Sequence, residues 1–523
     1  MKQILISLFL FSFCLQAKSP NFIMIYFDDL GWADTAVEMI PGDAGSRSDF
    51  YQTPNIVKLA EGGMVFSSAY APSPVCTPSR NSVQHGMTPA RMLNAVLHSE
   101  AASKEYRGVI TIPQALKKAN PNYISAHFGK WHIPSLTPTK AGYEVTDGPT
   151  GNGEGDYLDD MRTHLPEDDP KRMVSLTDKT IKFIEDQNKA DKPFFVQLSH
   201  YAVHIWHDSF AETREKYKKL AKSNRAEAHD YFPDSEITES MYKHNWIINY
   251  ASMVDDMDAQ LGRILERLDE LKIADNTYVI ITGDNGGGMR NNGRLSGSKG
   301  DLTEGGIRVP FIVRGPKVKA NAYTSVPTAG WDILATFYDL AGGTEALPPE
   351  VEGGSLKNVL AKGDKASVER NLRDFVFYFP WYNGEPESAL ISGKYKILKN
   401  LDTKVVQLFD LSKDVSEGND IANQMPEKTV EMEKTLDNYI KKVKAEDLMD
   451  LRIGYLDRMT KLWIPNTDRE IIENKKLMEQ GDARGKKEYE RLTGYRKWME
   501  GEIKFTVERA KMHGKDLSHY LKL

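Results

Sequence analysis

Along the first 370 residues, short runs of consecutive apolar residues alternate with stretches of helical periodicity. Residues 21–27 (Asn-Phe-Ile-Met-Ile-Tyr-Phe) form one such run. A strand covered on both faces reads this way, because both alternating sets of side chains enter apolar layers. Runs at Ala126–Phe128, Pro193–Leu198 and Thr277–Thr282 have the same character. Between the last two, Trp246, Ile247, Tyr250, Met253, Val254, Met257, Leu261, Ile264, Leu265, Leu268 and Leu271 share one helical stripe, read as core. Strands alternating with helices predict an α/β domain over 18–370, with a large mixed, mostly parallel sheet flanked by helices. Beyond Asn371 the pattern changes. Phe375–Phe379, Ala389–Leu398 and Val405–Asp410 read as antiparallel strands joined by turns, and Glu427–Lys444 as a helix. These predict a smaller C-terminal antiparallel sheet-plus-helix domain over 371–446. A charged, helical extension follows over 447–523, read most simply as a solvated surface.

The first seventeen residues stand apart. Lys2, an apolar stretch from Ile4 to Leu15 and the small residue Ala17 have the form of a cleaved secretory signal. The stretch is short for a bilayer span, and no later segment resembles one. A periplasmic or secreted location is therefore expected. A 40% apolar, 27% charged composition is that of a soluble globular protein. The net charge of −6 gives no reason to expect nucleic acid as a partner. Cysteine changes the picture more. Cys14 lies in the signal, so Cys76 is the one thiol of the mature chain and has no internal disulfide partner.

Candidate chemistry gathers at strand ends. Asp28 and Asp29 follow the first run, and Asp284 and Asn285 follow the run at 277–282. Ligands of parallel α/β sheets bind beyond these carboxyl ends. Converging carboxylates need a cation, and an all-oxygen set suits calcium or magnesium. Taken singly, each pair also reads as ordinary turn residues.

Cys76-Thr77-Pro78-Ser79-Arg80 resembles the Cys-x-Pro-Ser-Arg signature of type I sulfatases, in the alkaline-phosphatase-like superfamily. The resemblance is carried further by Phe27-Asp28-Asp29-Leu30-Gly31, Gly129-Lys130-Trp131-His132, His204, Thr282-Gly283-Asp284-Asn285-Gly286 and Lys299. It continues through Glu304-Gly305-Gly306-Ile307-Arg308-Val309-Pro310 and, more weakly, through Leu408-Phe409-Asp410-Leu411. It implies an alkaline-phosphatase-like fold and hydrolysis of sulfate esters. It implies that a formylglycine-generating maturation enzyme oxidises Cys76 to formylglycine. One hydroxyl of that aldehyde's hydrate attacks sulfur and the other drives release of sulfate, where serine or cysteine would stay esterified. One Ca2+ ion would be held by Asp28, Asp29, Asp284 and Asn285 and touched by residue 76. The family pattern assigns Arg80 to the hydrated aldehyde and the metal carboxylates, and Lys130 and Lys299 to the sulfate oxygens. It assigns His132 to removing the hemiacetal proton and His204 to the leaving oxygen. Pro78 suits the first turn of a helix, whose N–H groups would face the anion.

Gln84-His85-Gly86-Met87 departs from the family's frequent Leu-Thr-Gly-Arg, and Val203 stands where proline is common. Residues 209–240 read as an insertion, with Lys218–Lys222 and Asp230–Pro233 inside it. His200 and His207 are expected to be surface or core residues, and His85 and His98, which follow the nucleophile segment, to line the pocket at most, without a direct catalytic role. Trp381 and Tyr382, beside Asn383, are either a sugar-stacking platform or a turn packed on the core. Export, the insertion and an aromatic contact at Trp381 suit a sulfated carbohydrate as substrate, and the resemblance implies an algal polysaccharide or glycosaminoglycan oligosaccharide. The alternatives are an arylsulfatase, a phosphodiester or phosphonate ester hydrolase, or a non-catalytic sulfoglycan-binding protein with unmodified Cys76.

Overall fold

A computed structural model describes residues 18–96, 105, 107–156, 168–205, 207–220, 246–288, 292–381 and 384–522. The signal segment, His98, Tyr382, Asn383 and most of the 209–240 insertion, including Asp230–Pro233, lie outside the described residues. Within the insertion, Ala211–Lys219 is helical.

The main sheet has eight strands in the order β5-β4-β6-β1-β7-β8-β2-β9. Their spans are β1 (Asn21–Phe27), β2 (Met64–Phe66), β4 (Ile124–Gly129), β5 (Val145–Thr146), β6 (Phe194–Ser199), β7 (Thr277–Gly283), β8 (Phe311–Arg314) and β9 (Ala322–Thr324). Neighbours from β5 to β7 are parallel, whereas β8 runs antiparallel to β7 and β2. β3 (Ala69–Tyr70) and β10 (Thr328–Ala329) form a separate parallel pair. The apolar run of β1 has a direct cause. Ile23, Ile25 and Phe27 enter one core with the helices Met173–Lys189 and Trp246–Glu270. Phe22, Met24 and Tyr26 enter the other, with Ile112–Ala119 and Asp332–Leu340. The stripe from Tyr250 to Leu268 is buried as core.

The small sheet is antiparallel in the order β11-β12-β13-β14. Its strands are β11 (Phe375–Phe379), β12 (Glu387–Ser392), β13 (Tyr395–Asn400) and β14 (Val406–Asp410). The apolar run at 389–398 is a two-residue hairpin: Ser392 pairs with Tyr395, and Gly393 turns at φ +59°. One face of this sheet packs on the helix Pro426–Val443 through Met432, Leu436 and Tyr439. The other meets Leu302, Ile307 and Trp331 of the main domain, and also Met449, Tyr455, Leu456, Met499, Ile503 and Val507 of the extension. The extension thus completes the small sheet's core. It consists of the helices Leu448–Arg458, Ile464–Glu479 and Ala483–Lys511. Among the described residues no helix is long and apolar enough to cross a membrane.

Candidate active site

Four strand ends build the site. β1 and β7 pair in register, Phe27 opposite Gly283, so Asp28, Asp29, Asp284 and Asn285 leave neighbouring strands at one level. The Asp284 N–H donates to the Phe27 carbonyl (3.0 Å), and the Asp29 N–H donates to Asp284 Oδ1 (3.2 Å). β4 ends at Gly129, whose φ is +89° and where a Cβ would lie 2.0 Å from the Ser199 carbonyl oxygen. Only glycine passes there, and the turn sends Lys130 and His132 back over the sheet end. β6 leads to His204. Gly286 has a similar constraint: a Cβ would sit 2.0 Å from the Gly305 oxygen, so the turn after Asn285 lies against the segment following Lys299.

Cys76 is the first residue of the helix Cys76–His85, capped by extended Val75 without a side-chain bond. The helix begins at the nucleophile candidate itself, with Pro78 in its first turn, where a missing N–H costs nothing. The positive end of the helix dipole faces residue 76. Arg80, one turn on, is buried and reaches into the carboxylates. Its Nε donates to Asp284 Oδ2 (2.8 Å), its second terminal nitrogen is 2.7 Å from the same oxygen, and its Nη1 donates to the Lys130 carbonyl (2.7 Å). Its guanidinium also lies 5.1 Å from the Tyr26 ring centre.

The structure brings together every candidate site residue. Lys130 Nζ donates to Asp28 Oδ2 (2.5 Å), and Lys299 Nζ lies 2.8 Å from both oxygens of Asp29. Asn285 Nδ2 donates to Asp29 Oδ1 (2.8 Å). His132 Nδ1 is 3.3 Å from the Cys76 sulfur, and His204 Nε2 is 3.9 Å from Asp29 Oδ2. His204 Nδ1 lies 2.6 Å from the Ile205 carbonyl. A carbonyl only accepts, so Nδ1 carries the hydrogen and Nε2 faces the site. Ligand atoms of Asp28, Cys76 and Asp284 lie within 4.8 Å of one another, as do those of Asp28, Asp29 and His204.

Electrostatics sharpen the picture. Against the cost of burial, Lys130, with Arg80, holds the Asp28 carboxyl well below its ordinary range. Burial is likewise overcome at Asp29, chiefly by Lys299. At Asp284 burial and the neighbouring Asp28 win over Arg80, and the carboxyl is pushed up to about 8. The chain's own cations therefore leave this carboxylate undercompensated. The buried oxygens Asp28 Oδ1 and Asn285 Oδ1 accept no hydrogen bond. Orphaned buried oxygens beside an undercompensated carboxylate fit a hard cation with oxygen ligands. Burial, then Lys130 and Arg80, lowers the His132 imidazole to about 3, and burial lowers His204 to about 4. Both rings are neutral at neutral pH. Asp29 (φ +66°) and His132 (φ +54°) adopt the left-handed region, which costs a non-glycine residue about 1 kcal/mol or more.

The other described candidates are packed into the structure around the site. His85 is buried against the Ile110 carbonyl (2.7 Å), His200 stacks on Phe27, and His207 meets Tyr250 edge-on. Trp381 is partly buried against Phe379, Gly300 and Gly384, which is the packed-turn alternative, although Gly300 adjoins Lys299. Two supporting residues were not legible in the sequence. Thr150 accepts from the Trp131 N–H (3.0 Å) and donates to the Gly129 carbonyl (2.5 Å), and its own carbonyl accepts from the His132 N–H (2.8 Å). It clamps the loop of Lys130 and His132 from a stretch without a motif. Tyr26 underlies Arg80 from within a run that reads only as core.

The profile of the sulfatase family matches residues 20–343, and that of the N-sulphoglucosamine sulphohydrolase C-terminal region matches residues 299–446. The chain belongs to the sulfatase family, within the alkaline-phosphatase-like superfamily, and is a sulfate ester hydrolase. It is 26% identical to a sulfatase of Formosa agariphila, over 81% of this chain and 88% of that one. It is 28% identical to human N-acetylgalactosamine-6-sulfatase, over 72% of this chain and 71% of that one. Its fold is similar to that of a protein solved in complex with its substrate D-glucosamine-2-N,6-O-disulfate, with a TM-score of 0.58 and 20% identity. That match covers 82% of this chain and 98% of the other.

Proposed function

We propose that the chain hydrolyses sulfate esters of a sulfated carbohydrate, with formylglycine derived from Cys76 as nucleophile and one calcium ion at the carboxylate cluster. The observation that carries this reading is the position of Cys76. It opens a helix, lies 3.3 Å from His132 Nδ1, and shares one cluster with Asp28 and Asp284. The relatives named above, one a hexosamine-6-sulfatase and one solved with a sulfated glucosamine, support a sugar as the sulfate carrier.

Asp28, Asp29, Asp284 and Asn285 would hold the ion, which supplies Lewis-acid polarisation of a sulfate oxygen and favours the ionised nucleophile. The formylglycine hydrate supplies a hydroxyl for attack at sulfur and a second hydroxyl whose deprotonation releases sulfate. The chain's own residues do the rest. Arg80 fixes Asp284 and, through the Lys130 carbonyl, the backbone beneath the sulfate. Lys130 and Lys299 exchange part of their contact with Asp28 and Asp29 for the equatorial sulfate oxygens, where negative charge grows in the transition state. His132 is neutral, so its Nδ1 accepts a proton from the residue 76 side chain. His204 Nε2 faces the leaving oxygen. Its ring donates there only when protonated, which the anionic ester favours. Export with removal of residues 1–17, and maturation by a formylglycine-generating enzyme, complete the proposal.

The test is a screen of defined sulfated oligosaccharides with matured protein, reading sulfate released, with Cys76→Ala as control. Calcium-dependent release that Cys76→Ala abolishes is expected. Undiminished release by Cys76→Ala removes Cys76 from the chemistry. Faster turnover of phosphodiesters than of any sulfate ester removes the substrate class.

A further inference from the structure

Lys299 stands on a turn that the main domain and the C-terminal sheet hold together. Gly297 and Gly300 flank it, both in the left-handed region (φ +73° and +97°), so the turn has little conformational preference of its own. Its tip touches the site: the Lys299 N–H donates to the Gly287 carbonyl (3.1 Å) and the Gly300 N–H to the Pro74 carbonyl (3.0 Å), two residues before Cys76. Its two ends, joined to each other by the Gly305 N–H donating to the Ser296 carbonyl (2.7 Å), are also fastened to the second domain. The Ser296 hydroxyl donates to the Ser416 carbonyl. The Leu302 N–H donates to Glu387 Oε2 (3.0 Å) at the start of β12, and the Glu304 N–H to Glu417 Oε2 (2.6 Å). All three acceptors belong to the C-terminal sheet or the loop that follows it.

At the centre of this seam is Lys396 on β13, fully buried. Its ammonium lies 3.0 Å from Glu304 Oε1 and 2.7 Å from Glu417 Oε1. Glu304 is also gripped by Arg308 (2.6 Å) and by the Tyr70 hydroxyl (3.1 Å). Burying an ammonium and two carboxylates adds little to stability over a well-packed apolar seam. Such a cluster fixes geometry through directed, charge-assisted bonds. What it fixes reaches both halves of the site, because the Gly306 carbonyl accepts from the Gly286 N–H (2.9 Å), directly after Asn285.

We infer that Lys396 and Glu417 are positioning residues, through which the C-terminal sheet sets the place of the Lys299 ammonium over the sulfate. The inference rests on the sulfatase reading of Lys299. It makes the C-terminal sheet part of the catalytic apparatus through one buried ion cluster.

The experiment is a double-mutant cycle on the full-length matured protein, reading kcat and KM for a sulfated sugar in four forms: wild type, Lys396→Met, Lys299→Ala and the double variant. If Lys396 acts through Lys299, Lys396→Met lowers kcat/KM by about tenfold in the wild-type background and by less than about twofold in the Lys299→Ala background. Equal losses in both backgrounds, or no loss in the first, overturn the inference. Glu417→Gln, nearly isosteric, carries the same cycle if Lys396→Met fails to fold, and thermal melting reports folding for each form. The two readings fail separately. A wild type without sulfate release refutes the enzyme reading, whereas a working wild type with multiplicative losses refutes only the role of the C-terminal sheet.

Discussion

Two buried ion clusters in this molecule are both built on aspartate with arginine and histidine, and they differ in how fully their oxygens are partnered. Where the extension meets the β13–β14 turn, Asp402 is saturated: Oδ1 receives Arg452 (2.8 Å) and His513 (2.7 Å), and Oδ2 receives Arg452 (2.7 Å) and Arg509 (2.8 Å). Despite burial, these partners hold its carboxyl down to about 2. At the strand ends, three carboxylates face Arg80, Lys130 and Lys299. Even so, Asp28 Oδ1 and Asn285 Oδ1 stay unbonded and Asp284 is pushed up to about 8. Two residues there, Asp29 and His132, also hold left-handed backbone. The saturated cluster is a clasp. The unsaturated one keeps oxygens, lysines and a neutral imidazole available for an ion and an anion, which structural burial alone does not explain.

Arg80→Met leaves Asp28 and Asp284 facing each other without their arginine. It should cost about 3–5 kcal/mol of stability and at least about a thousandfold in sulfate release. Denaturant unfolding and kcat/KM check the two losses. Arg452→Met should cost about 3 kcal/mol, because it removes two of the four bonds to Asp402. Its kcat/KM should stay within about twofold of wild type, and a large activity loss would contradict the division between clasp and site. Chelation should lower the melting temperature and abolish turnover. Restoring calcium to roughly a hundredfold above its Kd should return about 2.7 kcal/mol, in wild type and in Arg452→Met alike.

The smallest effects sharpen the picture. Thr150→Val removes two hydrogen bonds to the 129–131 backbone. It should cost about 1–2 kcal/mol, with kcat falling more than KM changes because His132 loses its backing. The pH test concerns the clasp. The Asp402 carboxyl lies below its unfolded value near 3.8. Its contribution is therefore present above about pH 4 and disappears as the pH falls toward about 2. Acid unfolding of wild type should be steeper through that window than that of Arg452→Met.

The sequence showed the site more readily than its supports, for physical reasons. β1 and β7 are buried on both faces, so their apolar runs mark where they end and place Asp28, Asp29, Asp284 and Asn285 beyond those ends. The resemblance at Cys76–Arg80, Gly129–His132, His204 and Lys299 named side chains that the fold does gather. β2 and β9 have only three residues each, too few for alternation to show, and antiparallel β8 hides behind Pro310. The hairpin at 392–395 merges into one apolar run, because two residues suffice to turn it. Thr150 acts through backbone bonds that need no motif. Asp402 meets partners 50, 107 and 111 residues away, and Lys396 reaches Glu304 across 92, pairings that no local pattern encodes. The extension, with its dense charge, read as solvated surface, whereas its apolar face closes the core of the small sheet.

The central claim is that Cys76 does not act as a thiol. The direct measurement is the mass of the peptide carrying residue 76, isolated from a preparation that releases sulfate and treated with a thiol alkylator and a hydrazide. The account predicts an aldehyde at residue 76 that forms a hydrazone, in a fraction that tracks specific activity across preparations. A fully active preparation whose residue 76 is entirely alkylated, with no hydrazone, would contradict it.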